Sequence, residues 1–462
     1  MSKKSIPENG IYDARELGAP RMIVLGLQHM FAMFGATVLV PALTGLSVAT
    51  TLLFAGLGTL LFHLITKRKV PAFLGSSFAF LGAYGLVTAS GQDIPLTYSG
   101  AGVAVAGLVY LVLALLVKIF GAKKVMRFFP PIVTGPVIIA IGLTLANSAL
   151  NNCAANWWVA AIAIVVVIVL NIWGKGMIKI VPILIAVVVS YVFSMIIDPA
   201  SRAAFTEQVS AAPWIGLPIT WSQTSLSIFN DQLDVSMLIT AIITIAPISL
   251  ATMVEHIGDI CAISSTTGRN YIADPGLHRT LLGDGIATTL AALFGAPANT
   301  TYGENTGVLA LSKVYDPRVI RIAAYFAIAF SFCPKFAAIV AAMPDATMGG
   351  VSLILYGMIS AVGVRNVVEN KVDFTKSRNV LIAAMILVLS IGVKFQTFYN
   401  ELGQEVVNSG ITFQIGDLAI NLSGLAIAAL VGIVLNAILP GKDYEFGADA
   451  QGDTSVNFHV GD

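Results

Sequence analysis

The chain has 462 residues, of which 56% are hydrophobic and 11% charged; its formal net charge is +1 and its mean hydropathy +0.85. A water-soluble domain carries roughly 25% charged residues, so these charges are too few to wet a globule of this size. The near-neutral balance gives no bulk field for recruiting nucleic acid, and lipid is the solvent the composition calls for.

The first segment, 1–20, is polar and carries Lys3, Lys4 and Arg15. No short apolar stretch with a cleavage site precedes the first long one, so no cleavable signal peptide is expected. A helix crosses about 30 Å of hydrocarbon with about 20 mostly apolar residues. By that rule, spans are predicted at 22–41, 48–66, 98–118, 128–149, 156–173, 177–197, 236–257, 280–296, 318–342, 348–364, 379–398 and 417–439. Segments 71–89 and 297–312 are apolar but broken by Gly, Pro, Ser, Thr and Asn. Counting them gives about fourteen spans. After Pro440-Gly441, a natural helix stop, a polar cytosolic tail is expected over 441–462.

The basic residues support that count. With the N-terminus inside, the loops expected on the cytoplasmic side hold Lys67, Arg68 and Lys69, then Lys118, Lys123, Lys124 and Arg127, then Lys175 and Lys179. The second half continues with Arg269 and Arg279, then Lys313, Arg318 and Arg321, then Arg365, Lys371, Lys376 and Arg378. The expected external loop, 198–235, carries Asp198, Glu207, Asp231 and Asp234 against Arg202. This is the positive-inside pattern, and removing either broken segment would put the following basic loops on the wrong face. Both termini are therefore expected in the cytoplasm of a cell whose inner membrane the chain crosses many times.

The two halves echo each other. Residues 52–59, LLFAGLGT, resemble 281–288, LLGDGIAT. Pro71-Ala72 leads into Gly75-Ser76-Ser77-Phe78, and Pro297-Ala298 leads into Asn299-Thr300-Thr301-Tyr302-Gly303-Glu304-Asn305. Pro130, Gly135 and Val137 recur as Pro344, Gly349 and Val351 at a constant offset of 214. Two consecutive repeats of an odd number of spans lie in opposite orientations, the inverted plan of many secondary transporters. Irregular backbone at membrane depth is tolerated only where it is buried or lines a cavity. The broken segments therefore mark the candidate site. Each is expected to form a short strand, the two pairing with each other, followed by a half-helix whose free N–H groups can donate to a ligand.

Ionisable residues within spans are functional by default. Glu255, His256, Asp259, Asp284 and Glu304 stand out. Glu255 and Asp259 share a helix face at i and i+4. Two carboxylates in low dielectric disfavour being ionised together, which suits them to proton coupling. His256 points to a different face and is expected to bond between helices, as is His29. Asp284 is expected to order a helix start or pack against the core, His63 to sit at an interface, and Lys335 to snorkel. Carboxylates facing backbone N–H donors suit a ligand that both donates and accepts hydrogen bonds, such as a planar pyrimidinedione. An anion fits poorly, since nothing basic lies in the site segments. No metal set, nucleophile–base pair or phosphate loop points to an enzyme or a cofactor. The three cysteines, Cys153, Cys261 and Cys333, are scattered like small apolar fillers.

The stretches QHMFAMFGATVLVP at 28–41, PAFLGSSFAF at 71–80, EHIGD at 255–259, DPGLHR at 274–279, NTTYGENTGVLALSK at 299–313 and MGGVSLILYG at 348–357 resemble the nucleobase–cation symporter family, in its nucleobase–ascorbate transporter branch. The resemblance covers roughly residues 20–440. The family signature, E-N-x-G followed four residues later by Thr and a basic residue, is similar to Glu304-Asn305-Thr306-Gly307 with Ser312-Lys313, where Ser replaces Thr. It implies an all-α membrane fold of fourteen spans in two inverted seven-span repeats, with two short antiparallel strands in broken spans 3 and 10. Its core domain would comprise 21–121 (spans 1–4) and 236–342 (spans 8–11); its gate domain would comprise 122–235 (spans 5–7) and 343–440 (spans 12–14), and the gate would form a homodimer. It implies binding of a nucleobase by the carboxylates of Glu255 and Glu304 and the backbone N–H groups of Phe78 and Gly303, with Tyr302 and Tyr356 packed on the ring. His29, Ser77 and Asn305 would support the site, and Asp259 with Glu255 would couple a proton rather than sodium. Glutamate at 304 resembles the uracil carriers. Aspartate at 259, where those carriers commonly have His, resembles the xanthine and urate carriers. An anion channel or exchanger on the same plan is the alternative of a different class, and Glu304 opposes it.

Overall fold

Several helices begin at a proline or a capping side chain, and prolines break some apolar runs, whereas Pro41 and Pro136 are carried inside continuous helices. The computed structural model describes residues 10–81, 84, 95–175, 177–230, 233–394, 396–399, 405–408, 410–415 and 418–441; the tail at 442–462, most of 82–94 and the Glu304 side chain lie outside the described residues. In the first half, α1 (Ala19–Thr44) and α2 (Val48–Ile65) lead into strand β1 (Leu74–Ser76) and a 3-10 turn, Phe78–Phe80. Helices α3 (Leu96–Phe120), α4 (Pro131–Ala154), α5 (Trp157–Trp173), α6 (Pro182–Ile197) and α7 (Pro199–Ala211) follow. The second half holds α8 (Val235–Ile245), α9 (Ser249–Thr267), α10 (Leu277–Leu293), strand β2 (Asn299–Thr301), α11 (Glu304–Ser312), α12 (Pro317–Ser331), α13 (Pro334–Ala341), α14 (Asp345–Glu369) and α15 (Ser377–Lys394). Strands β3 (Gln396–Tyr399), β4 (Glu405–Asn408), β5 (Gly410–Ile415) and β6 (Leu418–Ser423) precede α16 (Gly424–Ile438).

Among the described residues, 6 helices are long and apolar enough to cross a membrane, or up to 8 if each bent pair is one span; shorter apolar helices lie at 157–173, 377–393 and 424–438. The predicted span at 318–342 is instead two helices, α12 and α13, bent by 87°. Pro334 stands at the start of α13, and without an N–H it cannot continue the ladder of the preceding helix. Pro247 has a milder effect, introducing the 3-10 turn Ala246–Ile248 between α8 and α9. The expected external loop after 198 opens as helix α7. Asp198 caps it by accepting from Ala200 N–H and Ser201 N–H, and the Ser201 hydroxyl together with those N–H groups holds its carboxyl below the usual range. The spans expected at 379–398 and 417–439 are shorter as helices. GITFQI and LAINLS alternate apolar and polar residues and pair antiparallel, Gly410 opposite Ser423 and Ile415 opposite Leu418.

Packing follows small residues, which let backbones approach in lipid. Helices α4 and α14 run antiparallel in close contact. A Cβ on Gly363 would reach Gly135 O at 2.7 Å, and one on Gly349 would reach Ala149 O at 2.8 Å. The offset of 214 that carries Gly135 to Gly349 also carries Ala149 to Gly363, so these two contacts are copies of one another. Close glycine contacts recur elsewhere. Gly56 of α2 packs on Ala324 O of α12, while Gly285 of α10 packs on Gly107 O of α3. Helices α1, α2, α9 and α10 contact the β1–β2 pair, with α3 packed on α10 and α12 on α1 and α2, while α4, α5, α6, α14, α15 and α16 pack among themselves. Helix α9 lies between, touching both α11 and α4.

Candidate functional site

Strands β1 and β2 pair antiparallel, with Leu74 opposite Thr301, Gly75 opposite Thr300 and Ser76 opposite Asn299. Ser77 N–H to Ala298 O at 2.9 Å and Tyr302 N–H to Phe73 O at 3.1 Å extend the ladder. Threonines from equivalent helices hold each strand. Leu74 N–H donates to Thr59 Oγ1 at 2.9 Å, and Thr288 Oγ1 donates to Asn299 O at 2.9 Å. In the second half the frame gains charge. Asp284 Oδ1 accepts from Thr301 N–H at 2.8 Å, and Asp284 Oδ2 lies 3.3 Å from His256 Nδ1, which also meets Thr301 Oγ1 at 2.9 Å. His256 is thus an interhelical bonding group, and Asp284 is packed in the core, where it orders β2 rather than a helix start.

A cavity of about 220 Å3 lies between α9 and α11 on one side and α4 and α14 on the other. Glu255, Asp259 and Gly303 line it, with Gly258 and Thr306 beside them and Ile138, Ile359 and Asn366 opposite. Asp259 is buried, and a Cβ on Gly303 would come within 2.6 Å of its Oδ1. Glycine at 303 is what lets this carboxylate reach the turn before α11.

Of the residues singled out from sequence, Glu255, Asp259 and Gly303 are therefore brought together. Tyr302, Tyr356, Phe78, Ser77, His29 and Asn305 surround the strand frame and are not among the described residues lining the cavity. Tyr302 lies over Gly75 and donates its hydroxyl to Ser76 O at 3.0 Å. Tyr356 meets Phe78 edge-on at 5.6 Å between centroids. Asn305 Nδ2 donates to Pro71 O at 2.7 Å, and its Oδ1 lies 3.2 Å from His29 Nδ1. Ser77 Oγ has no hydrogen-bond partner among the described residues. Glu304 opens α11, and its side chain lies outside the described residues. His63, expected at an interface, is fully buried, with Nε2 at 2.9 Å from Ala72 O. Lys335 donates to Ala212 O at 3.1 Å.

The α14 wall went unread in the sequence. Asn366, Glu369 and Asn370 line the cavity, and so does Arg365, a basic residue outside the segments that the sequence marked for the site. The Arg365 guanidinium is paired with Glu369 at 2.5 Å, so it adds little free positive charge. The signal in the sequence is a run of polar residues closing an apolar span. Among the described residues no group of three or more His, Cys, Asp or Glu could hold a metal ion.

A multi-pass membrane protein with two short strands paired antiparallel is the class this architecture defines. The model of the xanthine/uracil permease family, described as "Permease family", matches residues 20–398. The chain is 40% identical over 430 residues to "Uracil permease" of Bacillus caldolyticus, covering 91% of this chain and 92% of the relative. It is 36% identical over 474 residues to "Uracil permease" of Bacillus subtilis, covering 100% of each. Among solved structures, the transmembrane domain of the cyanobacterial bicarbonate transporter BicA matches with a TM-score of 0.56 at 18% identity, covering 83% of this chain and 97% of that one. The chain belongs to the xanthine/uracil permease family and is a transporter.

Proposed function

We propose that this permease carries uracil into the cell together with a proton, by alternating access. The observation that carries the reading is the cavity that brings Glu255, Asp259 and the Gly303 turn together. Carboxylates accept from ring N–H groups, and the amides at the start of α11 donate to ring carbonyls. The relatives named as uracil permeases at 36% and 40% identity support the substrate. The fold reading has fourteen spans in two inverted repeats, supported by the copied α4–α14 contacts and the β1–β2 pairing. The core domain is 21–121 with 236–342, and the gate domain 122–235 with 343–440. The cavity lies along the seam between them, where relative movement would open it to each side in turn. The gate pairs two copies of the chain, and both termini lie in the cytoplasm.

Asp259 and Glu255, one helical turn apart, form the proton-coupling pair. A proton moving inward gains about 2.3 kcal/mol per 100 mV, enough to accumulate a neutral base roughly 50-fold. Proteoliposomes in sodium-free buffer with an imposed pH gradient test this. Wild type should concentrate uracil, while Asp259→Asn should bind it and fail to concentrate it. Uptake that ignores the pH gradient and requires sodium would defeat the proton mechanism. The second reading, a xanthine carrier, is favoured by the aspartate at 259 on the cavity wall. Xanthine outcompeting uracil tenfold would establish it. Anion exchange is disfavoured by the two carboxylates and the already paired Arg365.

A further inference from the structure

The transport reading gives no role to the segment before α1, yet its backbone and side chains are tied down. Ile11 N–H donates to Lys313 O and Tyr315 N–H donates to Ile11 O, both at 2.8 Å. Lys313 is the left-handed residue that ends α11. Ala14 N–H donates to Asp316 Oδ2 at 2.7 Å, and Asp13 accepts from Arg318 at 2.7 Å. Ile11 and Ala14 are buried with Val314 and Val319 as a small apolar cluster of their own. Tyr12 reaches the other way, donating its hydroxyl to Thr267 O at 2.6 Å, at the last residue of α9. Arg269 lies 4.3 Å over the Tyr12 ring, and Tyr315 packs against it at 5.4 Å.

Terminal segments ordinarily fray unless docked, and the last carbonyls of a helix lack intrahelical partners. This segment supplies such partners at the ends of two helices. Those helices are α9, which carries Glu255 and Asp259, and α11, which begins at Glu304. We infer that residues 11–18 are a strap that fixes α9 against α11, so that Tyr12 and Asp13 are positioning residues for the candidate site. Neither touches the cavity. Asp259 lies eight residues from Thr267, roughly 12 Å along the helix at 1.5 Å per residue, so a shift at the strapped end is carried to the carboxylate by a stiff rod. The inference rests on the proposed function only for what the site binds.

Tyr12→Phe is the discriminating variant. It removes the bond to Thr267 O and keeps the ring between Arg269 and Tyr315. Losing one such bond corresponds to a change of about three- to tenfold. Hydrogen exchange on the full-length protein without substrate should quicken by that factor over residues 263–268. It should also quicken over 304–312 of α11, which the Tyr12 hydroxyl does not touch. Uracil uptake should show KM raised by a similar factor, with maximal rate and membrane level near wild type. Exchange that stays at the wild-type rate in α11, or a KM that does not move while exchange does, overturns the inference. If wild type carries no uracil, the proposed function fails on that result, and the exchange of α11 still decides the strap.

Discussion

The two broken segments share a backbone and differ in chemistry. Each has a three-residue strand, a threonine on a preceding helix holding it, and a turn leading onward. After β1 come Ser77 and then Phe78, Ala79 and Phe80, all buried. After β2 come Tyr302, Gly303, Glu304 and Asn305, the segment that reaches the cavity. On α2 the residue at the repeat offset from Asp284 is Ala55, since 52–59 aligns with 281–288. The two segments share the frame and differ in the charge. The frame can stay symmetric because main-chain bonds do not depend on side-chain identity, whereas a ligand needs its donors and acceptors on particular sides.

The sharpest way to break this comparison is Asp284→Ala. It leaves Thr301 N–H without its buried carboxylate acceptor, and an unsatisfied buried donor of this kind costs up to about 3 kcal/mol. Thermal unfolding in detergent should show a protein that is much less stable or fails to stay monodisperse, and a wild-type melting curve would contradict the role of Asp284 in holding β2. Next in size is Glu304→Gln, which should weaken uracil binding roughly 5- to 150-fold, from about 1–3 kcal/mol for a mispaired polar group. Ser77→Ala at the corresponding turn of the first segment should stay within about twofold, because Ser77 Oγ makes no hydrogen bond among the described residues. Equal losses in a direct binding assay would mean that the two segments share the ligand evenly.

The threonines test the symmetric part. Thr59→Val leaves Leu74 N–H unpaired and should cost about 1–3 kcal/mol. Thr288→Val leaves Asn299 O, a carbonyl with two lone pairs, and should cost about 1 kcal/mol. Melting temperatures of the two variants decide the order. The smallest effect is expected from Asp13→Asn on the pH profile of uptake. The Arg15 side chain beside Asp13 holds its carboxyl well below the usual range. A depressed carboxylate contributes fully above its unfolded value near 4 and loses that contribution only as pH falls through the lower folded value. Between about pH 5 and 8 the strap therefore stays ionised, and uptake measured across that window should keep the wild-type slope. A flattened slope would move part of the pH dependence out of the Glu255–Asp259 pair and into the strap.

Much of the fold was legible because lipid imposes simple rules. Long apolar runs gave α1, α2, α3, α4 and α14 near their observed bounds, and Gly-Ser and Thr-Thr runs in broken spans gave the β1–β2 pair. What escaped was local. The bend at Pro334 was hidden by the high hydropathy on both sides of it, and the strands over 396–423 were masked by an apolar content that suits a span as well as a hairpin. At the site, Glu255 and Asp259 were readable as charges in a span, while Asn366 and Asn370 were not, because a carboxamide near a helix end carries no penalty that marks it. Tyr302 and Tyr356 were implied only by the family resemblance, which did not carry their orientation toward Ser76 and Phe78.

By itself the sequence determined that the chain lives in lipid, that its halves echo each other, and that carboxylates stand beside an interrupted span. These are properties of composition and spacing, which survive without coordinates because a charge in hydrocarbon is costly wherever it points. Only the tertiary structure decided which groups meet: that Asp259 rests against Gly303, that Asp284 is spent on β2 and His256, that α14 supplies the facing wall, and that the N-terminal segment fastens α9 to α11. Contacts between residues far apart in the chain depend on how helices pack, and packing is set by the shapes of whole surfaces rather than by the identity of any residue alone.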